Sequence, residues 1–178
     1  MLVILKKWQL INSFIEEKAR KTQEVLLFIT LLGIAILVFI QVILRYVLHR
    51  PLMGIEELLL FPTIWLYFLG SANASVERTQ IKAPVIDIFL KTPISIKISR
   101  IIMGIISFGV DCWLTYWAYQ YFQYSIRVHK LSATLYIPMV LAESAVFFGF
   151  LLMGIYVFFE TIDYIFKPLS EFKLNDNG

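Results

Sequence analysis

Residues 25–44 read VLLFITLLGIAILVFIQVIL, twenty in a row without a formal charge, held between Glu24 and Arg45. At about 1.5 Å per helical residue, such a run covers the roughly 30 Å hydrocarbon core of a bilayer. The rest of the chain repeats the pattern. Residues 58–76 are uncharged between Glu57 and Glu77, residues 101–126 are interrupted only by Asp111, and residues 137–159 only by Glu143. Pro62 falls inside the second run, where neighbouring helices can satisfy the carbonyl it frees. The pattern predicts an all-α membrane protein with four transmembrane helices, at about 24–46, 57–76, 94–126 and 137–162, in a single integral membrane domain covering 1–178.

Composition points the same way. Of the 178 residues, 59% are hydrophobic and 16% charged, with a mean hydropathy of +0.75. An average soluble domain carries about 45–50% apolar and about 25% charged residues. A chain this apolar cannot clothe a water-facing surface, which excludes an ordinary soluble enzyme and a disordered chain. The net charge of +3 is too small for a nucleic-acid footprint. Cys112, the single cysteine, forbids an intramolecular disulfide or a cysteine metal cluster. Mid-span and without a neighbouring base, it reads as a buried packing thiol. The first apolar run, Leu2 to Leu5, is too short for a signal core, and Lys6 and Lys7 follow it, so no cleavable signal peptide is expected.

The basic residues set a direction. Lys6, Lys7, Lys18, Arg20 and Lys21 precede the first span; Arg78, Lys82, Lys91, Lys97 and Arg100 lie between the second and third; Lys167 and Lys173 follow the fourth. These twelve face four on the other side, Arg45, Arg50, Arg127 and Lys130. The positive-inside rule places both termini in the cytoplasm. Ile4, Trp8, Ile11 and Ile15 recur at helical spacing opposite Lys6, Gln9, Ser13, Glu16 and Arg20. Residues 4–22 therefore read as an amphipathic interfacial helix that runs into the first span, with a partner-bound or frayed tail as the alternative. Ile81 to Leu90, apolar but carrying Lys82, Pro84 and Asp87, reads as a cytoplasmic surface segment. Thr92 and Pro93 form an N-cap and first-turn pair for the third helix.

Ionisable groups inside a span are the default functional candidates, because each costs about 2.5–3.5 kcal/mol at a helix centre. Asp111 is the deepest, and shares a helix face with Arg100, Gly104, Ser107 and Thr115. It reads either as a proton or cation ligand or as a contact to another helix or subunit. Glu56 and Glu57 open the second span, where acidic residues complement the helix dipole. They can also meet Arg45, Arg50 or a basic partner, and Glu143 carries the same two readings. His49 and His129 fall just beyond span ends, where solvated histidines need no cofactor; haem ligation is the competing reading. Gly70 and Ala74, beside Ser71 and Ser75, make small-residue faces on the second span, as Ala142, Ala145 and Gly149 do on the fourth. Trp113, Tyr116, Trp117, Tyr119, Tyr121, Phe122 and Tyr124 load the outer half of the third span like an aromatic belt. No pair has the spacing of a nucleophile with a base or of metal ligands, so no catalytic, metal or cofactor site is expected.

Gln41-Val42, Arg45-Tyr46, Pro51-Leu52, Glu56-Glu57-Leu58, Trp65 and Phe68-Leu69-Gly70-Ser71-Ala72 follow one another in an order that resembles a known family. That family is the small membrane subunit (DctQ-type) of the tripartite ATP-independent periplasmic, or TRAP, transporters. Ser132, Leu135, Ile137-Pro138 and Gly149 resemble its last loop and helix. Gly54 stands where the family usually has Trp, Gln80 where it has His, Ala83-Pro84 where Val-Asp is usual, and Phe147 where it has Pro. The resemblance implies a multi-pass subunit of the bacterial inner membrane, partnered by membrane lipids, a large TRAP membrane subunit and, transiently, a periplasmic substrate-binding protein. It implies no enzymatic activity. It further implies that the chain braces the scaffold of the large subunit during sodium-coupled uptake of an organic acid, of the sialic acid or dicarboxylate type. Arg45, Glu56, Glu57, Gly70, Ala74, Asp111 and Gly149 are then interface or structural residues, with no substrate site expected. Two other classes compete: a self-sufficient transporter or channel using Asp111, or Glu56 with Glu57, and a haem-binding membrane anchor.

Overall fold

The computed structural model describes residues 2–49, 54–77 and 92–166, with side chains from Glu17 onward. It contains four helices: α1 (Leu2–Tyr46), α2 (Ile55–Val76), α3 (Pro93–Val128) and α4 (Val140–Phe166). Each is long and apolar enough to cross a membrane. Arg50, the 81–90 segment and the tail after Phe166 lie outside the described residues.

Local chemistry accounts for where each helix starts and stops. No glycine or proline interrupts residues 2–32, so the amphipathic segment and the first span form one unbroken helix of 45 residues. Ion pairs across single turns, Arg20 to Glu24 at 2.8 Å and Lys21 to Glu17 at 2.7 Å, support the stretch where the sequence suggested a division. At about 1.5 Å per residue α1 is about 67 Å long, twice the hydrocarbon thickness. Thr92 is extended and Pro93 takes the first helical position of α3. The Thr92 hydroxyl pairs with the Ser95 hydroxyl at 2.6 Å and makes no hydrogen bond to the helix backbone. Helix α4 begins three residues later than the apolar run, because Ile137 and Pro138 belong to a closed loop. Ser132 N–H donates to the Ile137 carbonyl, and Met139 N–H to the Lys130 carbonyl, both at 2.9 Å.

The helices pack in the order α1, α2, α4, α3, with α2 and α4 central. Arg20 lies 3.9 Å from Glu77 and Gln41 donates to Glu56 at 3.4 Å, so α1 and α2 run antiparallel. Trp65 Nε1 donates to the Leu141 carbonyl at 2.8 Å and Ser71 meets the Met153 sulfur at 3.1 Å, so α2 and α4 run parallel. Helix α3 opposes α4, with Tyr121 at Glu143 and Phe108 against Phe158. The α1–α2 and α3–α4 connections thus share one end of the molecule, here termed the loop end. Buried positions are mostly small, among them Ala72, Ala118, Ala142, Ala145 and Gly149, while large apolar side chains point outward on every helix. That inversion of a soluble core is expected where lipid, not water, surrounds the helices and close backbone approach drives packing.

Candidate functional site

At the loop end, one carboxylate organises an entire connection. Gly54, at φ 105, turns the chain into α2 and sets Glu57 beneath the loop between α3 and α4. Ser132 Oγ donates to Glu57 Oε2 at 2.7 Å, Thr134 N–H to Oε1 at 2.9 Å and Leu135 N–H to Oε2 at 3.0 Å. The Ser132 hydroxyl in turn accepts Ile137 N–H at 3.3 Å. Two backbone N–H groups of the loop thus converge on an acceptor-only side chain, a charge-assisted pairing. The Leu135 side chain covers Gly54 so closely that a Cβ there would come within 2.9 Å of it. No ordinary residue suits Gly54 on both counts, backbone and space.

Glu56, one residue earlier, does something different. It is exposed and its contact is the long bond from Gln41. Among the described residues no ion pair joins Arg45 to Glu56 or Glu57; the Arg45 guanidinium instead lies over the Tyr46 ring, 5.7 Å from its centroid. The expected meeting of Arg45 with the acidic pair is absent because Glu57 turns to the loop and Glu56 to α1. Glu143 is the second anchored carboxylate. Buried at the start of α4, it accepts from Tyr121 at 2.8 Å and from Ser125, and stands 3.6 Å from Lys130. It joins α4 to the last turns of α3.

Below these anchors, shape replaces polarity. Gly149 admits Phe68, whose Cβ would lie 2.6 Å from any added Cβ, and this closes α2 onto α4. Gly154 admits the Asp111 carboxyl, and Gly104 admits the Thr161 hydroxyl and methyl, which closes α3 onto α4. Asp111 is half-buried in that seam, and no described side chain donates to it. Of its expected stripe, Gly104 meets α4 at Thr161 and the Arg100 guanidinium lies over the Tyr164 ring of α4, 6.0 Å from its centroid, whereas Ser107 is exposed. Gly70 makes an ordinary contact with Leu27, a Cβ there lying 3.8 Å away. Nearby, the buried Gln23 donates to the Tyr156 hydroxyl at 3.0 Å and ties α1 to α4. Ala74, one turn beyond Gly70, shares the half-buried side of α2.

The remaining candidates separate. His49 and His129 follow α1 and α3, the two outermost helices, and both are exposed in left-handed backbone conformations. Cys112 is exposed on α3, not buried as its mid-span position suggested, because it lies to the side of the α4 seam. Among the described residues no cluster of three or more His, Cys, Asp or Glu can hold a metal ion. Ser132, Gly54, Gly154 and the Gln23–Tyr156 bond were missed as structural anchors. A serine in a loop and a glutamine just before a span carry no local signal of their partners, which lie 75 and 133 residues away in the chain.

Four membrane-length helices, held together by carboxylates at the loop end and by glycine-based seams below, define a polytopic membrane protein. Residues 34–165 match the family model of the tripartite ATP-independent periplasmic transporters, DctQ component. The match covers most of the chain, and the chain belongs to that family: it is a small membrane subunit of a TRAP transporter. No curated protein matches the sequence significantly.

Proposed function

We propose that this subunit braces the scaffold of the large TRAP membrane subunit, so that the large subunit can move substrate across the bilayer against a fixed frame. The observation that carries the reading is how the anchoring polar groups are used. Glu57, Glu143 and Gln23 all bond within the chain, each joining separate elements. Such bonds make a rigid frame. The system would take up an organic acid, of the sialic acid or dicarboxylate type, captured by a periplasmic binding protein and driven by sodium. The excess of basic residues on the terminal side supports cytoplasmic termini and a periplasmic loop end in a bacterial inner membrane.

The test is uptake in proteoliposomes containing the small and large subunits, with binding protein and a sodium gradient. Uptake of a sialic acid or dicarboxylate that needs all three proteins and sodium is the expected result. Uptake or ion conductance by the small subunit alone would overturn the scaffold reading in favour of a self-sufficient transporter.

A further inference from the structure

The exposed faces of the two outer helices differ in chemistry, and the difference identifies an interface. On α1 the outward residues are Val25, Phe28, Ile29, Leu32, Ile36 and Phe39, all apolar. The Thr30 hydroxyl among them donates to its own helix, to the Leu26 carbonyl at 2.7 Å. That face has the chemistry of a lipid contact. On α3 the face turned away from α4 carries Gly109, Trp113, Trp117, Gln120 and Tyr124, at spacings of three and four. All five are exposed, Trp113 by 69% and Trp117 by 58%.

Depth decides what this α3 face is for. Ser125 reaches Glu143 in the first turn of α4, and Trp65, well inside α2, bonds the Leu141 carbonyl near the same level, so Ser125 already lies below the Glu57 clamp at the loop end. At about 1.5 Å per residue, Gln120 lies about 7 Å below Ser125, Trp117 about 12 Å and Trp113 about 18 Å. An interfacial aromatic belt sits at headgroup level; Gln120 and Trp117 lie inside a core roughly 30 Å thick. Among the described residues, neither indole N–H nor the Gln120 amide has a hydrogen-bond partner, unlike neighbouring Gln123, which donates to Tyr119 at 2.6 Å. Lipid tails offer these donors nothing. Gly109 adds a smooth patch, since a Cβ there would meet nothing within 4 Å, and small residues let a second backbone come close.

We infer that the α3 face from Gly109 to Tyr124 docks a transmembrane helix of another membrane protein, one that presents hydrogen-bond acceptors at mid-membrane depth. This rests on the scaffold reading above, which makes the large TRAP subunit that protein. The α1 face from Val25 to Phe39 is left to lipid.

Photo-crosslinking amino acids placed singly at Trp117 and at Phe28, in the small subunit co-expressed and co-purified with the large one, test this. An adduct with the large subunit from position 117 but not from 28 is expected. Adducts from 28 alone, a small-subunit dimer from 117, or only lipid adducts from 117 within an intact complex would each overturn the assignment while leaving the scaffold reading in place. Failure of the unmodified chain to co-purify with the large subunit would overturn both. Within the chain, the combined variant Trp113→Leu, Trp117→Leu and Gln120→Leu removes the edge contact of Trp117 with its neighbour Tyr116 and no hydrogen bond. It should insert normally yet lower recovered complex by about tenfold or more; undiminished recovery would show a lipid face and refute the inference.

Discussion

The loop end and the mid-membrane seams hold the same four helices by opposite means. At the loop end Glu57 gathers a hydroxyl and two backbone N–H groups from one connection. In the seams Gly149, Gly154 and Gly104 contribute nothing but the absence of a side chain. Hydrogen bonds at a membrane surface compete with water, so the clamp's gain is one of order more than of net energy. Close packing in hydrocarbon has no such competitor, and its tolerance is set by hard contacts. The seams should therefore be the less forgiving region.

The largest effect is expected at Gly149→Val. The added Cβ would collide with the Phe68 ring base at 2.6 Å, and the extra methyl groups have no room. Overpacking of this kind costs about 1–3 kcal/mol or more, enough to abolish recovery of monodisperse subunit in detergent. A thermal-unfolding midpoint unchanged from the parent would mean that α2 and α4 can part freely, and the contrast between regions would collapse.

Gly54→Ala comes next and bears on both regions at once, since it combines a left-handed backbone with the Leu135 contact at 2.9 Å. Strain of this kind costs about 1–3 kcal/mol. The penalty should fall when Leu135 is shortened to Ala in the same chain, because only the backbone part would remain. A double variant no better than Gly54→Ala alone would assign the whole cost to φ. The measurement is a double-mutant cycle on thermal stability.

The smallest effects on stability are expected from the acidic pair, and they should be unequal. Glu57→Gln loses charge-assisted acceptance from Ser132, Thr134 and Leu135 and should loosen the loop, read as faster labelling of a cysteine placed at Thr134 or faster proteolysis there. Glu56→Gln removes only a helix-dipole contribution of about 0.3–1 kcal/mol and the long contact from Gln41, and should leave the loop unchanged. Equal loop mobility in the two variants would erase the distinction between these neighbours. Assembled complex and substrate half-saturation should stay the same in Glu56→Gln, read as uptake at several substrate concentrations.

Much of the architecture was legible in the chain because bilayer thickness is a ruler. Twenty uncharged residues from Val25 to Leu44 need a spanning helix whatever surrounds them, and Thr92-Pro93 marks the start of α3 through the fixed φ of proline. The start of α4 was legible only approximately. Hydropathy counts Ile137 and Pro138 with the span, whereas the bonds from Ser132 and Met139 draw them into the loop.

Partners could not be read in the same way. Glu56 and Glu57 are identical in type and adjacent in sequence, and local propensity treats them alike. What separates them is the direction each side chain takes from α2, one toward Gln41 and one toward Ser132. Asp111 announced itself as unusual by its place in an apolar run, but that it rests on Gly154 depends on the register between α3 and α4. The sequence by itself determined the number of spans and the charge asymmetry between the two sides, because these follow from the cost of putting charge or bare backbone into hydrocarbon. Only the tertiary structure decided which glycine receives which side chain and which carboxylate holds the loop, because those depend on contacts between residues remote in the chain.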